Sequence, residues 1–235
     1  MDLKMLNRRS LIKVAASGAV LTHIPSTILL AKTPGKRYAM VIDVRRCTGC
    51  LSCTVNCSIE NKVPQGRART EVPQITVTNG TSAAVIAMPH QCNHCENPPC
   101  TKVCPVKATY KRPEDGLVVI DYNKCIHCMA CVPACPYGAR IEDPSHKNPP
   151  EKCNFCIHRL SEGLLPACVE SCIGKARVFG DLNDHASAVS KLVKDNKVYA
   201  LLDKAGTRPN ILYIGLPSWI EDKAMLAAKA SDWQR

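Results

Sequence analysis

Hydrophobic and polar positions alternate in this chain only over short stretches. Tyr38–Val44 (Y-A-M-V-I-D-V) is a mostly apolar run and predicts a strand. Ala83–Met88 predicts a second strand. Leu117–Asp121, just after the turn signal Asp115-Gly116, predicts a hairpin strand. His185–Asn196 predicts a helix with Ala188, Leu192 and Val193 on one face. Ser218-x-x-Glu221 is a capping box opening a carboxy-terminal helix on which Ile220, Ala224, Ala227 and Ala228 are roughly aligned. That helix is open to two roles, docking on a partner or packing on its own domain. No apolar run reaches the roughly eighteen residues of a spanning helix, which excludes a multi-span membrane protein. No heptad is sustained, and Cys and Pro recur throughout, which excludes a coiled coil or a disordered chain.

Composition explains why the pattern is so broken. The chain has 235 residues, 46% of them hydrophobic, but 16 of the hydrophobic residues are Cys and only 4% of the chain is aromatic. Such a length holds one large domain or two small ones. With 17 Pro and 12 Gly the chain is not of low complexity. A large aromatic core is excluded, so part of the cohesion must come from the cysteines.

The 16 cysteines fall into four groups of four with none left over. Cys47, Cys50, Cys53 and Cys57 are spaced C-x2-C-x2-C-x3-C. Cys92, Cys95, Cys100 and Cys104 are spaced C-x2-C-x4-C-x3-C and followed by Pro105. Cys125, Cys128, Cys131 and Cys135 repeat the first spacing and are followed by Pro136. Cys153, Cys156, Cys168 and Cys172 are spaced C-x2-C-x11-C-x3-C. A short C-x2-C-x2-C turn lets three thiolates converge on three corners of one cubane and directs backbone N–H groups at the sulfurs. The fourth Cys, three residues on and carried by a short helix, points away to a neighbouring cubane, as in the bacterial ferredoxin run. The chain therefore reads as an internal repeat of a ferredoxin unit that binds four 4Fe-4S clusters. Structural zinc needs only two C-x2-C pairs per ion and gives no role to a third Cys. A disulfide scaffold cannot readily use three cysteines in one turn. His94, His127 and His158 sit in or beside Cys loops, but four thiolates suffice for each cluster, so they read as supporting or surface groups.

Two pairings of the groups are open. Groups two and three both end in Cys-Pro, whereas groups one and four end in Cys57-Ser58 and Cys172-Ile173, so matched endings suggest nesting. Nesting assigns cluster 1 to Cys47, Cys50, Cys53 and Cys172, and cluster 2 to Cys57, Cys153, Cys156 and Cys168. It assigns cluster 3 to Cys92, Cys95, Cys100 and Cys135, and cluster 4 to Cys104, Cys125, Cys128 and Cys131. The side-by-side alternative pairs group one with two and group three with four. The expected fold is α+β: two ferredoxin-like modules in tandem, nested, with short helices, hairpins and long cluster-binding loops. One module would span 84–145, the other 37–62 with 150–180, and a strand-and-helix tail 181–235.

Residues 1–31 read as a targeting segment. Asn7-Arg8-Arg9-Ser10-Leu11-Ile12-Lys13 precedes a weakly apolar stretch and resembles a twin-arginine export signal, from which it departs at Asn7, Leu11 and Ile12. Lys13, His23 and Pro25 interrupt that stretch as a spanning helix, although retention as an uncleaved anchor stays open. Ala31 is a candidate cleavage point, but Leu29 is not the small residue that cleavage prefers. Twin-arginine substrates cross the membrane folded, so metal centres built in a reducing cytoplasm can be carried to an oxidising periplasm, where free thiols would form disulfides. The formal charge of +11 would suit a polyanion partner. Removing the leader takes away +3 and each oxidised four-thiolate cube adds about −2, which brings the holo-protein close to neutral.

No phosphate loop, dinucleotide fingerprint or nucleophile–base pair is present. Four thiolates per cluster leave no iron open to substrate, so the metals carry electrons and the chain is not an enzyme on its own. Several stretches then carry a resemblance: Arg37-Tyr-Ala-Met-Val-Ile-Asp43, Arg45-Arg46-Cys47, Cys53-Thr-Val-Asn-Cys57, Ile59-Glu-Asn61, Leu164-Leu-Pro-Ala-Cys-Val-Glu-Ser-Cys172 and Leu212-Tyr-Ile-Gly-Leu216. With the cysteine order and the twin-arginine start, the whole chain resembles the four-cluster iron–sulfur subunit of molybdopterin oxidoreductases in the dimethyl-sulfoxide-reductase family. The resemblance implies an electron relay from a quinol-oxidising integral membrane subunit to a molybdopterin catalytic subunit, in a periplasmic complex attached to the inner membrane. Tetrathionate is the acceptor the resemblance implies, with polysulfide, thiosulfate or formate-dependent nitrite reduction as alternatives. Two other classes remain open, a free periplasmic polyferredoxin and a zinc-bound nucleic-acid module.

Overall fold

The computed structural model describes residues 35–216 apart from 80, 144, 203 and 204. The targeting segment and the capping box at Ser218 and Glu221 lie outside the described residues. In chain order the elements are β1 (Tyr38–Asp43), α1 (Ser52–Glu60), β2 (Thr70–Glu71), β3 (Gln74–Asn79), β4 (Ser82–Ala87), β5 (His90–Gln91), α2 (Pro99–Lys102), β6 (Thr109–Lys111), β7 (Val118–Ile120), α3 (Ile157–Ser161), α4 (Ala167–Glu170), β8 (Arg177–Asp181), α5 (Ala188–Asp195) and β9 (Ile211–Ile214). The mixture of short helices and small sheets is α+β. No helix among the described residues is long and apolar enough to cross a membrane.

The apolar run at Tyr38 becomes the central strand of a three-stranded sheet ordered β8-β1-β9. β1 pairs antiparallel with β8, Ile42 opposite Arg177, and parallel with β9, Ile42 opposite Tyr213. It is paired along both edges and packed on both faces, and Ala39–Ile42 are completely buried. Period-two alternation splits its side chains. Met40 and Ile42 join the main core with Met88, Leu117, Phe155, Phe179 and Tyr213, whereas Val41 packs with Val189 and Ile214 under α5. The strand ends one residue early, because Asp43 caps a 3-10 turn at Val44–Arg46 through the Arg45 N–H. β3–β4 and β6–β7 are antiparallel hairpins, and the expected strands at Ala83 and Leu117 are the second arms of each.

Two expectations need correction. The helix after His185 runs from Ala188 to Asp195, with Ser187 as its N-cap. Its packed side chains are Val189, Leu192 and Val193, while Ala188 faces solvent. These three keep the i, i+3, i+4 spacing, and the buried stripe begins one residue after the one expected. Short helices were also expected to carry the last Cys of every group, and only α1 does so, bearing Cys53 and Cys57. α2 and α4 stop short of Cys104 and Cys172, and Cys135 follows a succession of turns. Pro105, Pro133 and Pro136 remove N–H donors and bias the preceding residues away from helix. After Cys172 the chain must pass close to the Arg46 backbone at Gly174, and it leaves the helix for that reason.

Candidate iron–sulfur centres

Each C-x2-C turn is built on one unusual backbone position. The residue before the second Cys has a left-handed conformation in all four groups: Gly49 (φ 70°), His94 (φ 43°), His127 (φ 57°) and Phe155 (φ 53°). Only one of the four is glycine, and a left-handed residue with a Cβ costs roughly 1–2 kcal/mol. What that conformation achieves is visible in group four, where the Phe155 N–H donates to Cys153 Sγ at 3.4 Å. The Gly49 N–H does the same for Cys47. Turned this way, successive N–H groups form a concavity for anionic sulfur. Further from the turns, the Ala176 N–H donates to Cys172 Sγ at 3.2 Å, and Asn61 Nδ2 lies 3.5 Å from Cys156 Sγ and 3.7 Å from Cys57 Sγ.

Strand pairing brings distant groups together. β1 runs into group one and β8 leaves group four, so their antiparallel pairing puts the two groups side by side. Ser52 Oγ donates to the Ser171 carbonyl at 2.9 Å. At Gly174 a Cβ would stand 2.1 Å from the Arg46 carbonyl oxygen, so only glycine permits this approach. The result is a small cavity lined by Cys47, Cys50, Cys53 and Cys172. A second small cavity is lined by Cys92, Cys95, Cys100 and Cys135. Cys57 has the thiols of Cys168 and Cys156 near it, and Cys153 has those of Cys168, Cys57 and Cys92. The β6–β7 hairpin, extended by the Asp121 N–H to the Ala108 carbonyl at 2.8 Å, returns the chain from Cys104 to Cys125. Cys128 is exposed, and Cys104, Cys125 and Cys131 are half-buried.

The donor set fits a cluster. Among the described residues no three His, Cys, Asp or Glu side chains are grouped as a single metal ion requires, since thiolates bind zinc at about 2.3 Å from one point. Thiols ranged around a cavity suit a body several ångströms across. One terminal nitrogen of Arg140, Nη2, is buried without a hydrogen-bond partner among the described residues, and Arg140 lines the second cavity. A cluster sulfur would supply the acceptor it lacks. Burial pushes the Cys57 and Cys95 thiols up to about 12 and those of Cys135 and Cys168 up to about 11. Bare thiolates are therefore disfavoured here, and metal is what stabilises them. Exposed Cys50 goes the other way, lowered by the Ser52 N–H and the Thr48 hydroxyl.

Residues 83–182 match a protein-family model described as a 4Fe-4S dicluster domain. Over 206 residues, covering 86% of this chain and 82% of its relative, the sequence is 47% identical to a tetrathionate reductase subunit of Salmonella typhimurium. It is 41% identical to a selenate reductase subunit of Mesobacillus selenatarsenatis, with 76% and 72% of the two chains covered. It is 38% identical to a polysulfide reductase chain of Wolinella succinogenes, with 76% and 94% covered. The chain belongs to the iron–sulfur electron-transfer subunits of the dimethyl-sulfoxide-reductase family.

In this iron–sulfur subunit, the sequence reading missed three buried cations. Arg177 is 3% exposed and Lys152 and Arg140 are equally enclosed. Arg177 donates from Nη1 to Gln91 Oε1 and from Nη2 to Thr70 Oγ1, both at 2.8 Å, and stands 3.5 Å from Cys53 Sγ. Burial opposes its charge, yet the neighbouring Cys168 and Cys53 raise its pKa above the ordinary arginine value. A signal existed: Arg177 occupies an inward register position on β8, two residues before buried Phe179. His94 is wholly buried, stacks on Phe155 at 4.0 Å, and is held neutral by burial and by Lys152. His158 is at the surface, its Nε2 2.7 Å from Glu60.

Proposed function

We propose that this subunit relays electrons through four 4Fe-4S clusters, from a quinol-oxidising integral membrane subunit to a molybdopterin catalytic subunit. The clusters are assigned in nested modules: Cys47, Cys50, Cys53 and Cys172; Cys57, Cys153, Cys156 and Cys168; Cys92, Cys95, Cys100 and Cys135; Cys104, Cys125, Cys128 and Cys131. The observation that carries this reading is the pair of cavities, each lined by three thiols of one group and the last thiol of another. Side-by-side pairing would give Cys172 to the Cys125 group and leave it no reason to line the Cys47 cavity.

When bound, each cluster supplies a one-electron couple. The protein holds it closed with four thiolates, directs N–H groups at the sulfurs, and excludes water from the middle of the relay. Hydrogen bonds to sulfur stabilise the more negative, reduced form, which makes Asn61 and the Ala176 N–H determinants of potential. Cys50 and Cys128 are exposed, whereas Cys92, Cys95, Cys100, Cys153, Cys156 and Cys168 are buried. On the nested assignment the first and fourth clusters are then the open ends of a wire whose middle is insulated, and both partners lie beyond those ends. The chain itself performs no substrate chemistry.

The likeness to the Salmonella typhimurium tetrathionate reductase subunit, at 47% identity over most of both chains, supports tetrathionate as the acceptor. Arg8 and Arg9 support export by the twin-arginine route to the periplasm, where the complex is attached to the inner membrane. Two experiments test the reading. Paramagnetic resonance of Cys172→Ser and Cys47→Ser is expected to show the same cluster disturbed, and disturbance of different clusters refutes nesting. In the native complex reduced by quinol, tetrathionate should reoxidise the brown chromophore of this subunit within turnover. Reoxidation by polysulfide or thiosulfate and not by tetrathionate reassigns the acceptor.

A further inference from the structure

A fully enclosed arginine in so small a domain needs an account, because a buried charge is costly unless it is matched. Arg177 lies between Cys53 and Cys168, with Nη2 at 3.5 Å from the first sulfur and Nη1 at 4.0 Å from the second. On the nested assignment, Cys53 belongs to cluster 1 and Cys168 to cluster 2. Arg177 therefore touches one ligand of each of two clusters at once. Lys152 and Arg140 are enclosed too, but through other contacts. Lys152 Nζ is held by the carbonyls of Val118 and Cys153, and burial lowers its pKa. Arg140 lines the cavity of Cys92, Cys95, Cys100 and Cys135 and is anchored to Thr109 Oγ1 at 3.3 Å.

We propose that Arg177 is a junction charge: it stabilises an added electron on both of the clusters it lies between. This rests on the nested cluster assignment. The physical basis is that an electron adds a negative charge to an anionic cluster in a region shielded from water, where a fixed positive charge in contact with a ligand sulfur acts strongly. A cation shared between neighbours raises both potentials together. A charge that served the fold alone would have no reason to touch one ligand of each of two clusters.

The test is a redox titration, followed by paramagnetic resonance, of the full-length chain loaded with its clusters. Arg177→Met is expected to lower the midpoints of clusters 1 and 2 and leave clusters 3 and 4 where they were. Arg177→Lys, which keeps the charge, should restore most of the shift that Arg177→Met causes. Wild-type midpoints in a fully iron-loaded Arg177→Met variant, or a uniform shift of all four clusters, overturn the proposal. So does equal loss of iron from Arg177→Met and Arg177→Lys, which makes shape rather than charge the requirement. If Arg177→Met lowers two midpoints, but not those disturbed by Cys47→Ser and Cys57→Ser, the junction role stands and the cluster assignment fails.

Discussion

A single atom separates a permitted from a forbidden junction at Gly174. A methyl group there would stand 2.1 Å from the Arg46 carbonyl oxygen, and the neighbour is backbone that cannot swing aside. Gly174→Ala is expected to displace Cys172 from the Cys47 cavity and to lower iron content by about a quarter, measured against Cys172→Ser as the reference. Gly49 makes an instructive contrast. It has φ 70°, but its nearest neighbour to a Cβ is a side-chain atom at 3.4 Å, so only the backbone conformation opposes a substitution. Gly49→Ala should cost roughly 1–2 kcal/mol while leaving iron content unchanged. His127 supplies the converse, and His127→Gly should be neutral or stabilising, since it relieves a left-handed residue at φ 57°. Hydrogen exchange of the neighbouring amides checks both.

At the scale of elements, the two cores behave differently because only one contains ligands. Five buried cysteines, Cys53, Cys92, Cys95, Cys153 and Cys168, belong to the main core with Met40 and Phe155. None belongs to the small core in which Val41, Val189 and Ile214 hold α5 against the sheet. Val189 is completely buried, so Val189→Ala should cost about 2 kcal/mol of local stability. The expected signature is faster exchange of the α5 amides with an unaltered paramagnetic spectrum. A spectral change would mean that the two cores are coupled through β1. β1 itself joins them, since its alternate side chains serve one core and the other.

For the whole molecule, metal and fold are parts of one equilibrium. Thiols whose pKa is pushed up to about 12 by burial stay protonated in a core without iron, so nothing then ties the four groups to one another. Removing the iron anaerobically with a chelator is expected to abolish protection of the β1 amides, with reloading restoring it. The intact chain should hold about sixteen iron and sixteen acid-labile sulfide, and stoichiometric zinc would contradict the assignment. Cys128→Ser should stop quinol-driven reduction by the complex, while an artificial donor that reaches the catalytic subunit directly still supports it. Arg8→Lys combined with Arg9→Lys should leave a folded, brown protein in the cytoplasm, seen by fractionation.

Which residues could hold metal was legible in the sequence because thiolate convergence is a local property. A C-x2-C turn needs only its own backbone to aim two sulfurs and an N–H, and the left-handed residue repeated at Gly49, His94, His127 and Phe155 is the structural form of that spacing. The strands at Tyr38, Ala83 and Leu117 were legible for the same reason, since their patterns are contained within a few residues. The helices around Cys104, Cys135 and Cys172 were not, because proline chemistry and the close passage at Arg46 override the ferredoxin rule. What completes each cavity was decided by tertiary structure. Cys172 reaches Cys47 because β8 returns antiparallel along β1; the matched endings of the two groups suggested their pairing but not the strand return that brings it about. The buried cations were hidden too, since Arg140, Lys152 and Arg177 resemble any other basic residues until packing removes their water and leaves sulfur as their company. Contacts between sulfur and charge over more than a hundred residues of chain, such as Arg177 with Cys53, exist only once the sheet has formed.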